Sequence, residues 1–535
     1  MCPSLNSACT TIVTGPDGQD VVDVTLGTYN SMDDVPEKRE VREASEMGAQ
    51  ANGAPGQKLE VGTAMKKSEQ SQGDSASKIS DESRSRRVSR RSVLRGVGAA
   101  AVLGAMPRGI VLVKAGSLNS EARPEKSKSF PDKFLWGCAT AGHQVEGNNT
   151  SSDLWALEHI PGSIFKEPSG DACDHYHLYP QDITLLADLG FNAYRFSLEW
   201  SRIEPEEGFF SNAELEHYRR MLATCREHNL ATLLTYSHFS LPLWFARKGA
   251  WEHPTAADRY ARFCEKATQH FGDMIDCAST FNEPDIPQLL NWISLPRPEG
   301  KSLTEMLQGG LANARKQLNA PEFGSFFMGD GKKTRESLLA AHAKGKAAIK
   351  SVWPKMPVGF NLAMTDDQPA PSDSHVAEKR ADVYGPWVEA AKSCDYLGVQ
   401  TYSRAIVGKK DLPPPPGAEL TQIGWEFYPE CVEGAVRYTA KETGVPIIVT
   451  ENGIATTDDT RRVEYYRRAL AGLKRAMDDG VDVRGYMTWS LLDNFEWMSG
   501  FEPKFGIVAV DLATQRRTIK PSATYLGNIA RRNSL

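Results

Sequence analysis

The sequence has no excess of basic residues, because its 62 Lys and Arg are outnumbered by 68 Asp and Glu, giving a formal net charge of -6. Proteins that bind nucleic acid usually carry a basic excess or a basic stripe on one face. We therefore expect no nucleic-acid partner for this chain, and a phosphate-rich ligand is disfavoured for the same reason.

Several short motifs of redox, metal and phosphate sites are also missing. None of the nine cysteines forms a CxxC pair, no HExxH is present, and "GDGKK" near Gly329 lacks the strand and helix context of a phosphate loop. "CDHYH", which contains Cys173, His175 and His177, has no second cluster to complete a metal site, so packing and hydrogen bonding are the favoured interpretation. We expect no metal, no cofactor and no disulfide framework.

Aromatic residues are nearly absent from the first part of the chain, where Tyr29 is the only one before Phe130. A segment without large apolar side chains cannot offset its ordering entropy by burial. Residues 1–88 are therefore predicted to be disordered or to be an over-extended N-terminus, since "MKKSEQ" at Met65 is a better natural start than Met1. Peptides from residues 1–64 in the native precursor would contradict the second interpretation.

The apolar run from Gly96 to Met106 is too short for a stable membrane span. It belongs to "SRRSVLRGVGAAAVLGAMP", in which Arg90 and Arg91 precede the run, and Ala115 ends a possible small-residue cleavage site. Residues 89–115 resemble a twin-arginine export signal, although a basic patch beside an incidental apolar segment would have the same composition. The resemblance implies a protein exported to the periplasm or the medium, with a linker at residues 116–127.

Residues 128–535 alternate short apolar runs with longer amphipathic segments. In "HLYPQDITLLADLG", for example, Tyr179, Ile183, Leu186 and Leu189 share one helical face and Gly190 provides a stop. Such alternation, repeated eight times, predicts an α/β fold, a (β/α)8 TIM barrel with a single catalytic domain. The eight runs are "FLWGCATA", "NAYRFSLEW", "ATLLTYSHF", "CASTFNEP", "PVGFNLAM", "DYLGVQTY", "PIIVTENG" and "VRGYMTWSL".

Polar and aromatic side chains concentrate where these runs end, which is the end of the barrel that carries active sites. Two of them are carboxylates, Glu283 in "STFNEPDIP" and Glu451 in "IIVTENGIA". Cleavage of a glycosidic bond needs one acid to protonate the leaving oxygen and one carboxylate to meet the positive charge at the anomeric carbon. The negative charge of an ionised neighbour keeps one carboxyl protonated, while nearby hydrogen-bond donors keep the other ionised.

At these residues the chain resembles glycoside hydrolase family 1, the family of retaining β-glucosidases, from Phe130 to about Tyr525. The motifs that carry the resemblance are long and occur in the family's order. They are "FPDKFLWGCATAGHQVEG", "YRFSLEWSRI", "TFNEP", "TENG" and "DGVDVRGYMTWSLLDNFEWMSGF".

The resemblance implies a role for each matching residue. Glu283 would be the general acid/base and Glu451 the nucleophile, while Asn282 would hold the substrate 2-hydroxyl. Arg195 and Tyr402 would bond the nucleophile. The glycone is the sugar whose anomeric bond is cut; Trp489 would form its stacking floor, and its hydroxyls would be bound by Gln144, His238, Glu496 and Trp497.

The expected reaction is retaining double displacement, with the two carboxyls about 5–5.5 Å apart. Expected substrates are β-linked glucosides or oligosaccharides without a phosphate, because an acidic Glu496 would repel a 6-phosphate. β-Galactosides and β-fucosides are expected as lesser substrates. The alternatives are a transglycosylase, a plant-type thioglucosidase and a non-catalytic sugar-binding barrel. A thioglucosidase lacks the acid/base Glu, so Glu283 argues against it. A binding barrel would have lost one carboxylate, whereas this chain has both.

Three features depart from the family pattern. Gln400 stands where many members have Asn, so it reaches one methylene farther and its role is open. Phe239 replaces a Trp that often follows the third-strand His, which removes one indole N–H donor. The segment 296–335 matches no pattern that we can place, so the preference for the leaving group, or aglycone, is left open, as is the oligomeric state.

Overall fold

The computed structural model describes residues 11–14, 20–23, 129–293, 303–328 and 331–535. The chain divides into two units, Met1–Ala115 and Gly116–Leu535. In the first unit, Thr11–Thr14 pairs antiparallel with Asp20–Asp23. The rest of the segment predicted to be disordered, the predicted signal at 89–115 and the predicted linker at 116–127 lie outside the described residues, so these assignments stay predictions.

The second unit is built on a closed barrel of eight parallel strands, which confirms the predicted (β/α)8 fold. Neighbours in the chain are neighbours in the sheet, and β8 pairs with β1 to close it, with Trp489 opposite Ala139. The strands are β1 (Leu135–Ala139), β2 (Ala193–Ser197), β3 (Ala231–Ser237), β4 (Cys277–Asn282), β5 (Val358–Ala363), β6 (Leu397–Gln400), β7 (Ile447–Asn452) and β8 (Val483–Trp489).

At least one helix follows each strand, and the α-helix nearest to the next strand, or to the end of the chain, is labelled α1 to α8 in chain order. The predicted amphipathic segment lies in the first of them, which ends before Gly190, a residue with φ of +100°. Such a φ suits glycine and terminates the helix. The eight helices are α1 (His175–Asp188), α2 (Asn212–Glu227), α3 (Ala256–Phe271), α4 (Gly331–Val352), α5 (Gly385–Ala391), α6 (Cys431–Thr443), α7 (Asp459–Asp478) and α8 (Pro521–Arg532).

Further strands and helices lie in the loops between these units. Asp366–Pro369 pairs with Arg404–Val407, and Val508–Asp511 pairs with Arg516–Ile519. Further helices are Gly142–Val145, Asp153–His159, Trp200–Ile203, Leu243–Arg247, Ile286–Leu289, Leu303–Gln317 and Val376–Val383, with 3-10 turns at Ala250–Glu252, Gly272–Met274 and Trp497–Ser499.

Alternate strand residues face opposite sides of the sheet, and this alternation separates two cores. On β8, Tyr486 joins the large cluster that contains residues of the surrounding helices, whereas Met487 joins a small cluster without them. The small cluster fills the barrel interior, so the barrel is a packed support and not a pore. Among the described residues, no helix combines the length and apolar character needed to cross a membrane.

Candidate active site

The carboxyl ends of the strands bring the predicted site residues to one end of the barrel. Arg195 lies on β2, Asn282 ends β4, Glu451 lies on β7 and Trp489 ends β8. The other predicted residues follow strands or lie in the loop after β8, and every one is buried or half-buried. These are Gln144, His238, Glu283, Tyr402, Glu496 and Trp497.

Glu451 is held by donors on both carboxylate oxygens, although it is only 4% exposed. Arg195 Nη1 donates to Oε1 at 2.5 Å, and the Tyr402 hydroxyl donates to Oε2 at 2.5 Å. Gln400 Nε2 also donates to Oε1, at 2.9 Å. Hydrogen bonds from a cation and from neutral donors favour the ionised form of a carboxyl group.

The amide of Asn282 is oriented by the same neighbours. Its Oδ1 accepts from Arg195 Nη2 at 2.6 Å and from Gln400 Nε2 at 2.7 Å. Because the carbonyl oxygen is occupied twice, the amide nitrogen is the group that can donate to a ligand. Gln400, whose role the sequence left open, is thus fully buried between Asn282 and Glu451.

Glu283 sits in a strained turn directly after β4. Its φ is +43°, an uncommon value for a residue with a side chain, and its backbone N–H donates to Asn361 O at 2.9 Å. Two residues on, the buried Asp285 accepts from the Ala363 N–H at 3.1 Å. Backbone strain of this kind often marks functional positions because it fixes where a side chain points.

The two carboxyl groups differ in how their surroundings act on their pKa. Burial raises the pKa of Glu283 well above its ordinary value, and the negative charges of Glu451 and Asp285 raise it further. Burial also raises the pKa of Glu451, but Arg195 and the hydroxyl of Tyr402 oppose that rise. Glu451 is therefore the carboxyl that ionises first, and its charge keeps Glu283 protonated.

Gln144 and Glu496 form a polar corner next to this pair. Gln144 Nε2 donates to Phe495 O at 2.7 Å and to Asn494 Oδ1 at 3.1 Å, and it lies 3.4 Å from Glu496 Oε2. Its Oε1 is buried and has no hydrogen-bond partner within the described part of the chain. Burial, followed by the charge of Glu451, raises the pKa of Glu496 to about 8.

Three rings stack beside the polar corner. His238 lies 5.9 Å from both Trp489 and Trp497, with interplanar angles of 23° in each case. Burial lowers the pKa of His238 well below its ordinary value, and Arg195 adds to the effect, so the imidazole is neutral. A neutral ring that both donates and accepts, set beside indole faces, matches the edge hydroxyls and C–H faces of a sugar.

Sequence reasoning missed a buried polar network beneath these rings. Glu199 Oε2 accepts from Asn149 Nδ2 at 2.6 Å and from Ser240 Oγ at 2.5 Å. His143 pairs with Glu158 at 2.7 Å and stacks on Trp497 with an interplanar angle of 8°. A charged residue inside the apolar run "FSLEW" was the available signal, because a buried carboxylate must find donors.

The unplaced segment also contributes to the site. Its described residues form helix Leu303–Gln317 and then bring Phe326 and Phe327 against Phe239, with ring centroids 5.1 and 4.7 Å away. Phe327 also lies 6.2 Å from Trp497. Phe239 is therefore part of an apolar wall and supplies no donor at this edge of the site.

The "CDHYH" cluster is satisfied without a metal. His175 Nδ1 is 2.8 Å from Asp182 Oδ2, while His177 pairs with Asp174 at the surface at 2.6 Å. Cys173 Sγ donates to Asp493 O at 3.2 Å. Within the residues that the structure describes, no group of three or more His, Cys, Asp and Glu side chains is arranged to hold a metal ion.

Comparisons with known proteins point the same way as the geometry. The model of the family "Glycosyl hydrolase family 1" matches residues 126–391 and 400–535. The chain is 29% identical over 447 residues to beta-glucosidase A of Thermotoga maritima, covering 76% of this chain and 99% of that protein. It is 30% identical over 467 residues to a beta-glucosidase of Agrobacterium sp., covering 75% of this chain and 95% of that protein.

Solved structures resemble the whole barrel. The apo structure of a beta-glucosidase named 1317 is 45% identical with a TM-score of 0.72, covering 75% of this chain and 98% of that one. The beta-glucosidase from Thermotoga maritima in complex with glucoimidazole is 27% identical with a TM-score of 0.66, covering 76% of this chain and 100% of that one.

Proposed function

Because this chain belongs to glycosyl hydrolase family 1, we propose that it is a retaining β-glucosidase that hydrolyses unphosphorylated β-D-glucosides. The observation that carries the proposal is the contrast between two buried carboxyl groups at the mouth of one barrel. Glu451 is held by Arg195, Tyr402 and Gln400, whereas the pKa of Glu283 is raised by burial and by the charge of Glu451. Retaining glycosidases need this division between an ionised nucleophile and a protonated acid.

In the first step, Glu451 attacks the anomeric carbon and the bond to the leaving oxygen breaks. Glu283 gives its proton to that oxygen, so the aglycone leaves as a neutral alcohol. The amide nitrogen of Asn282 donates to the substrate 2-hydroxyl, a contact that strengthens as positive charge develops on the sugar. The product of this step is a covalent glycosyl-enzyme.

In the second step, Glu283 acts as the base. It is ionised after giving up its proton, and the ester formed at Glu451 no longer carries the negative charge that had raised the pKa of Glu283. Glu283 takes a proton from water, the oxygen attacks the anomeric carbon, and Glu451 leaves as a carboxylate. Two inversions at one carbon give net retention.

The glycone is bound by the corner and the rings beside the carboxyl pair. Gln144 Oε1 and His238 Nδ1 are buried and have no partner among the described residues, so both side chains keep hydrogen-bonding capacity, and we assign them to hydroxyl groups of the sugar. Trp489 provides the stacking surface and Trp497 binds a hydroxyl group of the sugar. β-Galactosides and β-fucosides are lesser substrates that share most of these contacts.

Exclusion of 6-phosphorylated sugars needs a different reason from the one that the sequence suggested. Since the pKa of Glu496 is raised to about 8, this side chain is largely uncharged near neutral pH and repels a phosphate weakly. The groups that shift its pKa are Glu451, Gln144 and Trp489, none of which is a cation. A phosphate at this corner would lose its water without gaining a positive partner from these groups, which is costly.

The proposal is tested with p-nitrophenyl β-D-glucoside and three proteins: the parent, Glu451→Ala, and Glu389→Ala as an exposed control. We expect the parent and control to hydrolyse the substrate and to release β-glucose first, as followed by NMR. Glu451→Ala loses at least about 10³-fold in kcat, in line with removal of a covalent catalyst. Azide should restore turnover of Glu451→Ala and yield the α-glycosyl azide.

Two outcomes would contradict this function. A folded parent that is inactive on this substrate and on a panel of β-galactosides, β-fucosides and 6-phospho-β-glucosides would indicate a barrel that binds sugar without cleaving it. Release of α-glucose as the first product would indicate inversion and remove the nucleophile role of Glu451.

We also propose that residues 89–115 are a twin-arginine signal and that the enzyme acts outside the cytoplasm. The support is the order of Arg90 and Arg91, the short apolar run and the small residues ending at Ala115. Replacing both arginines by lysine should retain β-glucosidase activity in the cytoplasmic fraction. The matched control replaces Arg86 and Arg87 by lysine and should leave the distribution unchanged; equal distributions for both variants would contradict the proposal.

A further inference from the structure

Gln400 ends β6 beside the strand that carries the nucleophile. In the pairing of β6 with β7, Gln400 is the partner of Glu451, and on its other side it is the partner of Ala363 on β5. This register places the Gln400 side chain at the same level of the barrel as the nucleophile. The residue is fully buried, so its amide must find its hydrogen bonds within the site.

The orientation of the Gln400 amide is fixed by its neighbours. Its Nε2 faces Asn282 Oδ1 at 2.7 Å and Glu451 Oε1 at 2.9 Å, and both of these atoms are acceptors. A flipped amide would set Oε1 against a carbonyl oxygen and a carboxylate oxygen, which is repulsive. The remaining Oε1 is buried and has no partner among the described residues, so the amide acts on the site through its nitrogen.

The guanidinium of Arg195 donates to the same two atoms. Nη1 bonds Glu451 Oε1 and Nη2 bonds Asn282 Oδ1, so Arg195 and Gln400 close a ring of two donor groups and two acceptors. Within this ring, a rotation of the Asn282 amide breaks bonds to both donors. Loss of either donor also weakens the stabilisation of the Glu451 charge.

We propose that Gln400 is a positioning residue that couples recognition of the substrate 2-hydroxyl to the charge and orientation of the nucleophile. The proposal rests on the proposed function, because Asn282 and Glu451 take those roles only in a retaining glycosidase. Gln400 Nε2 makes both contacts. It bonds Asn282 Oδ1, which keeps the Asn282 amide nitrogen turned toward the substrate, and it stabilises ionised Glu451.

The length of the side chain is part of the argument. Asparagine at this register would place its amide nitrogen nearer the backbone by roughly one C–C bond, about 1.5 Å. From there the nitrogen could not keep contacts of 2.7 and 2.9 Å to both acceptors without a shift of β6. Gln400 is therefore fitted to this site by its reach as well as by its chemistry.

The main test compares the parent with Gln400→Met, which keeps the length and removes the donor. On p-nitrophenyl β-D-glucoside, kcat/KM should fall roughly 10- to 100-fold, the size expected for loss of a hydrogen bond to a charged group. On the 2-deoxy-β-D-glucoside the fall should be clearly smaller, because that substrate has no 2-hydroxyl for Asn282. The acid limb of the kcat/KM profile should move to higher pH, because ionised Glu451 has lost a donor.

Gln288→Met is the matched control. Gln288 is also a buried glutamine, and its Nε2 donates to Gly331 O at 2.5 Å and not to either carboxyl. This variant should lower kcat/KM by the same factor on both substrates, if at all, and should leave the acid limb in place. Circular dichroism establishes that each variant is folded.

Gln400→Asn is the second variant and replaces the first if Gln400→Met does not fold. It should likewise lower kcat/KM on the glucoside, lower it less on the 2-deoxyglucoside, and move the acid limb to higher pH. Equal losses on the two substrates, or an acid limb that does not move, would overturn the positioning role. An inactive parent would instead overturn the proposed function, so the two failures are distinguishable.

Discussion

At the scale of single residues, catalysis depends on how unequally two buried carboxyl groups are hydrogen-bonded. Three donors hold Glu451, and two of them, Arg195 and Tyr402, oppose the rise of its pKa on burial, whereas the charge of Glu451 adds to the effect of burial on the pKa of Glu283. Activity should therefore rise as pH increases through the pKa of Glu451 and fall as pH increases through the pKa of Glu283. The two apparent pKa values of the resulting bell-shaped pH profile belong to the coupled pair of carboxyl groups and not to either residue alone.

Tyr402→Phe tests this view of the nucleophile. The change removes the donor to Glu451 Oε2 and so raises the pKa of Glu451, which should move the acid limb of kcat/KM to higher pH and lower its maximum roughly 10- to 100-fold. Tyr396→Phe is the control, because the buried Tyr396 hydroxyl bonds Ser279 and touches neither carboxyl. An acid limb that moves to lower pH would contradict the assignment.

The sequence was sufficient to find the carboxyl pair but not the residues that act through it. Glu283 and Glu451 are visible because each ends an apolar run next to an Asn and is followed by a residue that breaks the strand, Pro284 or Gly453. The function of Gln400 depends on side-chain reach across two strands, which no local pattern encodes. Donors to Glu199 come from positions 149 and 240, so their convergence appears only in the folded barrel.

At the scale of elements, helix Leu303–Gln317 supports one wall of the site. Leu303, Leu307 and Leu311 pack with Leu154 and Phe495 in a third core, distinct from the large cluster and from the barrel interior. Phe495 O accepts from Gln144, and Glu496 and Trp497 come next along the chain. The helix therefore stabilises the loop that carries the proposed glycone-binding groups.

Leu311→Ala should weaken both the fold and substrate binding. Leu311 is 3% exposed, and truncation of a buried leucine lowers the free energy of unfolding by about 2–5 kcal/mol. KM for the glucoside should rise more than kcat falls, because the loop at Phe495 loses packing. Urea unfolding and steady-state kinetics measure the two effects, and Leu512→Ala, at a 40% exposed leucine, is the control. Lowered stability with an unchanged KM would show that the helix does not affect substrate binding and would contradict this prediction.

The strands were easier to predict than this helix. Every apolar run named from the sequence contains one barrel strand, although Thr401 and Tyr402 at the end of "DYLGVQTY" lie beyond the strand that ends at Gln400. In "LTEMLQGGLANARKQ" two adjacent glycines weaken the helical pattern. Its packing partners lie far away in the sequence, so the helix is stabilised by tertiary contacts that local propensity does not reveal.

At the scale of the whole domain, the first and last segments of its chain are tied together at the end of the barrel opposite the site. Trp136 Nε1 donates to Asn533 Oδ1 at 2.9 Å, and Asn533 Nδ2 donates to Phe130 O and Pro131 O at 3.0 Å each. The Phe130 N–H donates to Asn533 O at 2.9 Å. One residue after α8 thus holds the segment that leads into β1.

Asn533→Ala should lower stability without changing catalysis. Loss of three side-chain hydrogen bonds, two of them partly buried, at a position with φ of +49°, should reduce the free energy of unfolding by about 1–3 kcal/mol. Asn528→Ala, at an exposed residue of α8, is the control. Thermal unfolding measures the stability, and kcat/KM measures the activity of the site. A large loss of kcat/KM in folded Asn533→Ala would contradict the expectation that this end of the barrel does not affect the site at the other end.

The pairing of β8 with β1 also governs what happens to unfinished copies of this protein. Until residues 483–489 have been translated, one edge of β1 has no strand beside it, and the sheet cannot close. An open parallel edge recruits other strands, so prematurely terminated chains should aggregate or be degraded. Trp489 and Glu496 also come late in the chain, so a ribosome that stops before them leaves no partly active enzyme.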